Sequence, residues 1–459
     1  VGNLYDDPKY ADKRDSAFSL FYMAINIGAL FAPTAAVAIK NWAETSLGFT
    51  GNDAYHFSFA VACVALIVSM IIYFACRKWY IHVEGGKKSA NNAVAKVEDN
   101  LTPAETKARI VALCLVFAVV IFFWMAFHQN GLTLTYFADE FTNTTAFGFD
   151  TMLFDVWNLV MLIVAVYATF SIFQSTSAKG KLTSGVLATG ILAFLVYRAF
   201  GAEGTELAVS APIFQQFNPF YVVALTPVSM AIFGSLAKSG KEPSAPRKIA
   251  YGMLVAAIGF AIMAVGSQGL NTPNDQARAI AVNKAETIAK DMNNASDDAA
   301  RKAAEKAKSD FEGKLTKENK EVFETVYNAS MVTMSADSDQ AQIAAANAEL
   351  EAIKADTKEE TRTSPYWLIF TYLILTFAEL LLSPMGISFV SKVAPPKYKG
   401  MMMGGWFAAT AIGNYLVSVP GLLWMRIPLW TIWVVLIAIC VLAGVFMFAN
   451  MKRIESATE

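Results

Sequence analysis

Ten runs of predominantly apolar residues constrain this chain more than any other feature of its sequence. A helix that crosses the hydrocarbon core of a bilayer needs about 20 such residues, and most of the runs reach that length. They cover residues 18–39, 57–77, 110–131, 152–173, 184–200, 219–237, 249–267, 366–390, 401–425 and 428–450. Because the chain is also 55% hydrophobic and only 16% charged, it predicts an all-α polytopic membrane protein.

The basic residues indicate how the predicted spans are oriented. Twenty-one Lys and Arg residues lie in the segments on the side of the two chain ends. The short loops on the opposite side hold only Lys40, Arg198 and Arg426. Since positively charged loops remain in the cytoplasm, both visible ends are predicted to be cytoplasmic.

The long connection 272–362 differs in kind from the other loops. It is rich in Ala, Lys, Glu and Asp, with 18 acidic and 13 basic residues, and has no run of spanning length. Strong helix formers with charges four residues apart predict solvated helices on the outer side of the membrane. The thin apolar content leaves two alternatives open, a hairpin or small bundle and a set of long, partly disordered helices.

Several functional classes lack support in the composition. The net charge of −1 gives no indication of nucleic-acid binding. The four cysteines lie in apolar runs without the spacing of metal ligands or disulfides, so they are interpreted as packing residues. The sequence also offers no nucleophile with a base and no His/Asp metal cluster, which disfavours a membrane hydrolase. We therefore expect no metal, no cofactor and no enzymatic activity.

The eighth run carries one carboxylate, Glu379, near its middle. An acid at this depth costs roughly 2.5–3.5 kcal/mol on insertion scales, so it usually faces a cavity or a partner and has a function. Proline at position 384 removes a backbone donor and predicts a kink one turn past the acid. The alternative is an acid that only stabilises the bundle. The other residues on the same helix face are Tyr372, Thr376, Ser383 and Gly386.

The first run also has a polar face. Tyr22 and Asn26 lie one helical turn apart, and Gly28 permits close approach of a neighbouring helix. The Asn26 amide is costly to bury without partners. It predicts a ligand contact or, as is more common for a lone polar residue in a membrane helix, a hydrogen bond between helices.

The segment Asp12–Gly28, with a charged lead-in and a Phe-Tyr…Asn-x-Gly core, resembles the fifth-helix signature of a known family. That family is the proton-coupled oligopeptide transporters of the major facilitator superfamily. Motifs of four later helices match in family order. They are Phe123-Trp124 with Gln129 and Phe137-Ala138-Asp139 for the seventh, Gln215 with Asn218-Pro219 and Pro227 for the eighth, Glu379–Pro384 for the tenth, and Met402–Phe407 with Gly413-Asn414 for the eleventh.

The resemblance implies a major facilitator fold and covers nearly the whole chain outside its insertions. It begins at the fifth helix, so we expect four further helices before Val1. Together with the ten predicted spans they give the fourteen helices of bacterial members, which implies location in a bacterial inner membrane. Two extra helices fall at about 152–200, after the seventh helix, whereas bacterial relatives are expected to carry them before it.

On this basis the chain divides into six segments. They are 1–79, the last two helices of the N-terminal bundle; 80–109, a cytoplasmic linker; 110–267, the first part of the C-terminal bundle with the two extra helices; 268–364, an outer, periplasmic insertion; 365–450, the last three helices; and 451–459, a cytoplasmic tail.

The resemblance also implies a peptide site. Asn26, Asn218 and Glu379 match the positions that hold the amino terminus of a bound peptide. A carboxylate with two amide oxygens can accept all three hydrogen bonds of an ammonium. The remaining candidates are the cavity aromatics Trp124 and Trp406, which are otherwise packing or lipid-interface residues, together with Tyr22 and Ser383.

Proton coupling and gating are assigned by the same resemblance to Glu379, His128 and Asp139. His128 stands where the family usually has an acid, and a histidine can relay a proton near neutral pH or act as a neutral hydrogen-bonding replacement. Asp139 matches a carboxylate that helps to close the outer gate. A solvated acid at a helix end is the alternative for this residue.

The sequence thus predicts a symporter that imports di- and tripeptides with protons, by alternating access around a midplane site. The partners are the peptide, the proton and the bilayer, with no nucleic acid. The alternatives are transport of another small solute, such as an amino acid, nitrate or another anion, and a membrane-anchored scaffold that acts through the outer insertion. The interior polar residues disfavour the scaffold.

Overall fold

A computed structural model describes residues 14–49, 51–81, 101–335 and 337–457. Within these ranges ten helices are long and apolar enough to cross a membrane, which confirms the predicted all-α polytopic class and the number of spans. The start of the fifth-helix signature, at residues 12 and 13, lies outside the described residues, as does most of the predicted linker.

The membrane region is built from long helices with short connections. The helices up to residue 266 are α1 (Arg14–Leu47), α2 (Gly51–Ala75), α3 (Pro103–Phe127), α4 (Thr133–Glu140), α5 (Val156–Gln174), α6 (Ala178–Gly201), α7 (Phe217–Lys238) and α8 (Ala245–Gly266). Short 3-10 helices cover Arg77–Trp79, His128–Gly131, Gly148–Phe154 and Ala211–Gln216. Strands β1 (Thr145–Phe147) and β2 (Glu206–Ala208) form a small two-stranded antiparallel sheet.

The insertion and the last spans complete the chain. The remaining helices are α9 (Pro273–Asn293), α10 (Asp298–Glu312), α11 (Lys317–Met334), α12 (Gln340–Ala355), α13 (Tyr366–Val393), α14 (Lys399–Leu416), α15 (Ser418–Leu423), α16 (Leu429–Ala449) and α17 (Met451–Ser456), with a 3-10 turn at Pro396–Tyr398. Helix α13 continues through position 384 as one element.

The third span begins earlier than the predicted residue 110. Helix α3 starts at Pro103 because Thr102 and Glu105 form a reciprocal capping box, and proline fits the first helical turn. The prediction placed residues 103–109, the charged first turns of α3, in the linker, because hydropathy does not detect helix caps. This span also breaks at His128–Gly131 and resumes as α4, so it is two helices rather than one.

The insertion is a compact four-helix unit with its own core, which decides between the two alternatives that its composition left open. Helices α9, α11 and α12 contribute buried side chains, among them Val282, Phe323, Val326 and Leu350. Phe323 is fully buried and lies 5.4 Å, centroid to centroid, from Phe311 of α10. Two aromatic rings therefore supply contacts that alanine-rich helix faces alone would lack.

Gln276 connects the base of this unit to the membrane region. Its fully buried amide donates to the carbonyls of Glu140 (2.7 Å) and Thr361 (2.9 Å), and its oxygen accepts from the Thr361 amide (3.0 Å). Beside it, Thr142 and Thr363 form a parallel β-bridge. A hydrogen bond from Lys358 holds the pKa of the Asp275 carboxyl below its usual value. The insertion is thus fixed to the end of α4 and to the start of α13.

Gly413 allows α14 to approach α3 closely. A Cβ at this position would lie 2.6 Å from the carbonyl oxygen of Ile121 and 2.7 Å from Cβ of Trp124. The neighbouring backbone cannot yield as a flexible side chain can. The two helices that carry Trp124 and Trp406 are therefore held in register by the absence of a side chain at this point.

We expect Gly413→Ala to destabilise the protein by about 1–3 kcal/mol, because it overpacks the α3–α14 contact. The matched control is Gly404→Ala on the same helix, where an added Cβ would meet nothing within 4 Å. Both variants gain the same intrinsic helix propensity, so the difference between their thermal unfolding curves isolates the clash. Equal unfolding temperatures would contradict the close approach.

Candidate functional site

The buried acid Glu379 lies where three membrane helices meet. It is only 3% exposed and is positioned by the middle of α13. One carboxylate oxygen accepts a hydrogen bond from the Tyr22 hydroxyl of α1, and the other accepts one from the Asn218 amide of α7 at 2.7 Å. This geometry places the acid in the interior, as the polar face of its helix predicted.

Thr376 completes this cluster. Its hydroxyl donates to the carbonyl of Tyr372 at 2.7 Å, which leaves an oxygen lone pair facing the Asn218 amide at 3.1 Å. Asn218 therefore donates to two oxygens of the same helix. The sequence showed Thr376 on the polar face but did not assign it to the site. Its one-turn spacing from Glu379 was the signal that could have done so.

Asn26, assigned with Asn218 and Glu379 to the peptide's amino terminus, and the further candidate Ser383 are also buried. Asn26 is buried and donates to the Tyr22 carbonyl of its own helix at 3.0 Å. Ser383 lies one turn beyond Glu379 on the same helix and is 2% exposed.

A second cluster contains Trp124 and His128. Their rings stack with centroids 4.9 Å apart, as the i,i+4 spacing predicted. Nδ1 of His128 forms a hydrogen bond with Oδ1 of Asn414 on α14. The indole nitrogen of Trp124 is buried and has no acceptor within the described part of the chain. This cluster therefore has one available donor beside a histidine whose orientation is fixed by the neighbouring helix.

Trp406 and Asp139 have different surroundings. Trp406 is 2% exposed and its indole lies directly against Gly386 of α13, so it packs between two helices. Asp139 is exposed on α4, beyond the 3-10 break. The neighbouring Glu140 accepts a hydrogen bond from the indole nitrogen of Trp424 at 3.0 Å, and the sequence did not single it out. An acid inside the end of a span was the available signal.

The first helix contacts the C-terminal helices at two levels. Near its start, Tyr22 reaches Glu379. Further along, the hydroxyl of Thr34 donates to the fully buried Gln216, 3.1 Å away, just before α7. The candidate site therefore lies on the interface between α1 and the helices that carry Asn218 and Glu379.

Comparison with known proteins gives a consistent assignment. A model described as the POT family matches residues 1–102, 198–285 and 329–425. Dipeptide and tripeptide permease B of Salmonella typhimurium is 25% identical over 283 residues, which are 56% of this chain and 48% of the permease. The uncharacterized transporter YclF of Bacillus subtilis is 24% identical over 93% of this chain and 64% of its own length.

Further relatives follow the same pattern. The peptide transporter YePEPT of Yersinia enterocolitica is 20% identical, with 92% of this chain and 63% of that protein aligned. The chain thus spans from about half to nearly two thirds of the length of these curated relatives, at 48%, 64% and 63%. A solved POT family transporter in complex with a thioalcohol-conjugated peptide aligns over 99% of this chain and 72% of its own, with 15% identity and a TM-score of 0.47.

Proposed function

Because this chain belongs to the POT family, we propose that it carries out proton-driven import of di- and tripeptides across a bacterial plasma membrane. The names of two relatives, a dipeptide and tripeptide permease and a peptide transporter, support this substrate class. The transport cycle is alternating access, in which the site opens to one side of the membrane at a time.

The surroundings of Glu379 are the observation that carries the proposal. A buried carboxylate with two polar donors is a receptor for a cation that can donate several hydrogen bonds. The free amino terminus of a peptide is such a group, and it would replace the Tyr22 or Asn218 hydrogen bond on arrival. The same carboxylate repels nitrate and other anions, which disfavours these alternative substrates.

Proton coupling follows because a proton and the peptide's ammonium compete for the negative charge of Glu379. A lone carboxylate in a dry site is costly, and either a proton or an ammonium can neutralise it. Because both ligands occupy Glu379, peptide binding and proton release are linked there. His128 is a second candidate for the proton path, held beside Trp124 by its hydrogen bond to Asn414.

The bond between Tyr22 and Glu379 also connects substrate binding to movement. It joins α1 to α13, so a peptide that displaces the Tyr22 hydroxyl removes one contact across that interface. The Thr34–Gln216 contact lies further along α1 and does not involve the acid. A ligand at Glu379 can therefore loosen one end of the α1 interface while the other end stays closed.

Uptake competition tests the substrate class. In proteoliposomes that contain the protein made from its complete reading frame, unlabelled di- and tripeptides should compete with a labelled dipeptide, whereas free amino acids and nitrate should not. Uptake should collapse when a protonophore removes the gradient. Competition by amino acids as strong as that by peptides would overturn the proposal.

A further inference from the structure

The hairpin of α5 and α6 presents a largely unpacked surface. Of the α6 residues, all of which the structure describes, only Ala188 is buried. Helix α6 has membrane-spanning length and composition, so its exposed apolar residues are suited to contact with lipid acyl chains. The end of this hairpin opposite its Ser175–Ser177 turn therefore lies at a membrane–water interface.

A charged cavity of about 640 Å³ opens at this end. Its wall includes Asp155 and Arg198, whose side chains form an ion pair with N···O 3.2 Å, and Asn158, which accepts from Arg198 at 2.5 Å. A guanidinium has five N–H donors, so Arg198 retains donors beyond these two bonds. Glu206 also lines this cavity, and its exposed side chain forms no hydrogen bond or ion pair with any residue that the structure describes.

A second cavity of about 570 Å³ adjoins the first and is lined by aromatic rings. The two cavities share Thr205 and Glu206, while Phe149 and Phe200 line only the second. Phe200 is 76% exposed and Phe149 is 59% exposed. Exposed aromatic residues at the end of a membrane helix are typical of the lipid headgroup level.

We propose that this pair of cavities, here called the hairpin site, binds the headgroup of an amine-bearing phospholipid of the phosphatidylethanolamine class. The lipid phosphate accepts from the remaining donors of Arg198. The primary ammonium donates to Glu206, and the glycerol and upper acyl region contacts Phe149 and Phe200. The site is separate from Glu379 and does not depend on the peptide substrate.

The charges of the hairpin site select among lipids. Asp155, Glu203, Glu206 and Arg198 give the two cavities together a formal charge of −2, which favours a lipid that carries an ammonium over an anionic one. Phosphatidylcholine also carries a positive charge, but its quaternary ammonium has no N–H to donate to a carboxylate. The hairpin site is therefore expected to favour phosphatidylethanolamine over both phosphatidylglycerol and phosphatidylcholine.

Native mass spectrometry of the purified protein with equimolar mixtures of the three lipids tests this assignment. The wild-type protein should retain phosphatidylethanolamine in preference to the other two lipids. Glu206→Gln should lower that preference about tenfold, because it removes a charge-assisted hydrogen bond and disturbs no existing contact. Arg198→Gln should lower retention of all headgroups, since the phosphate contact is common to them.

Two control variants remove a charge outside the hairpin site. Lys181→Gln removes a charge at the other end of α6, and Glu351→Gln removes an exposed acid from the insertion. Neither should change the lipid preference. If Arg198→Gln fails to fold because Asp155 loses its partner, Glu206→Gln alone still tests the site. Equal retention of all three lipids by the wild type, or an unchanged preference in Glu206→Gln, would overturn the proposal.

Discussion

Replacing Glu379 by glutamine is expected to weaken binding of peptides with a free amino terminus by about 10- to 100-fold, while the protein still folds and inserts. Glutamine keeps the size of the side chain, and with its oxygen toward Asn218 it still accepts that hydrogen bond, while its NH2 group can donate to the hydroxyl oxygen of Tyr22. It removes the negative charge, so the contact with an ammonium is no longer charge-assisted. Binding isotherms with a dipeptide and with the same dipeptide acetylated at its amino terminus measure the difference.

The acetylated peptide separates a ligand contact from a structural role. If Glu379 receives the ammonium, the blocked ligand loses little additional affinity in Glu379→Gln. A matched control is Glu140→Gln, which changes another membrane acid, the one bonded to Trp424. It should leave the ratio between free and blocked peptide unchanged. Equal weakening of both peptides in well-folded Glu379→Gln would falsify the assignment.

The sequence could place the acid but not its partners. Helical periodicity put Glu379 on a polar face because residues three or four apart share one side of a helix. Which donors reach it depends on how α1, α7 and α13 are arranged, and the periodicity of one helix carries no such information. The Tyr22 bond was therefore not foreseeable from spacing. The link between Asn218 and Glu379 was implied only by the family resemblance.

The surroundings of the two tryptophans could not be predicted from the sequence either, for a different reason. Trp124 and Trp406 have the same residue type and both lie in membrane-spanning helices, yet their surroundings differ in the structure. Trp124 keeps an unpaired indole donor beside His128, whereas Trp406 fills the space left by Gly386. A glycine on another helix thus makes room for the Trp406 ring. Residue type and hydropathy cannot show such long-range complementarity.

The fold of the insertion could not be predicted from its composition alone. Its charge and alanine content were compatible with a compact bundle or with partly disordered helices, since mean composition reports how much apolar surface exists and not whether it is contiguous. The structure brings Phe311, Phe323 and Tyr327 together in one core. A few aromatic residues, spaced to meet across α10 and α11, thus outweigh the low average hydropathy.

Truncating the central aromatic of that core, Phe323→Ala, is expected to destabilise the insertion by about 3–5 kcal/mol. The side chain is fully buried, so the substitution removes its apolar area and leaves a cavity. Since whole domains are stable by only about 5–15 kcal/mol, this loss is enough to populate an unfolded insertion. Amide hydrogen exchange in α9, α11 and α12 should rise, whereas Glu321→Ala on the exposed face of α11 should change exchange little.

The same variant separates the insertion from transport. Gln276 and Thr363 hold the base of the insertion against the end of α4, and these contacts do not involve Phe323 or Glu379. Hydrogen exchange in the membrane helices and peptide binding at Glu379 should therefore stay at wild-type levels in Phe323→Ala. A variant that joins Asn271 to Thr363 through a short linker should likewise insert and take up peptide. Loss of peptide uptake in both variants, with the membrane helices intact, would show instead that the folded insertion is part of the transport machinery.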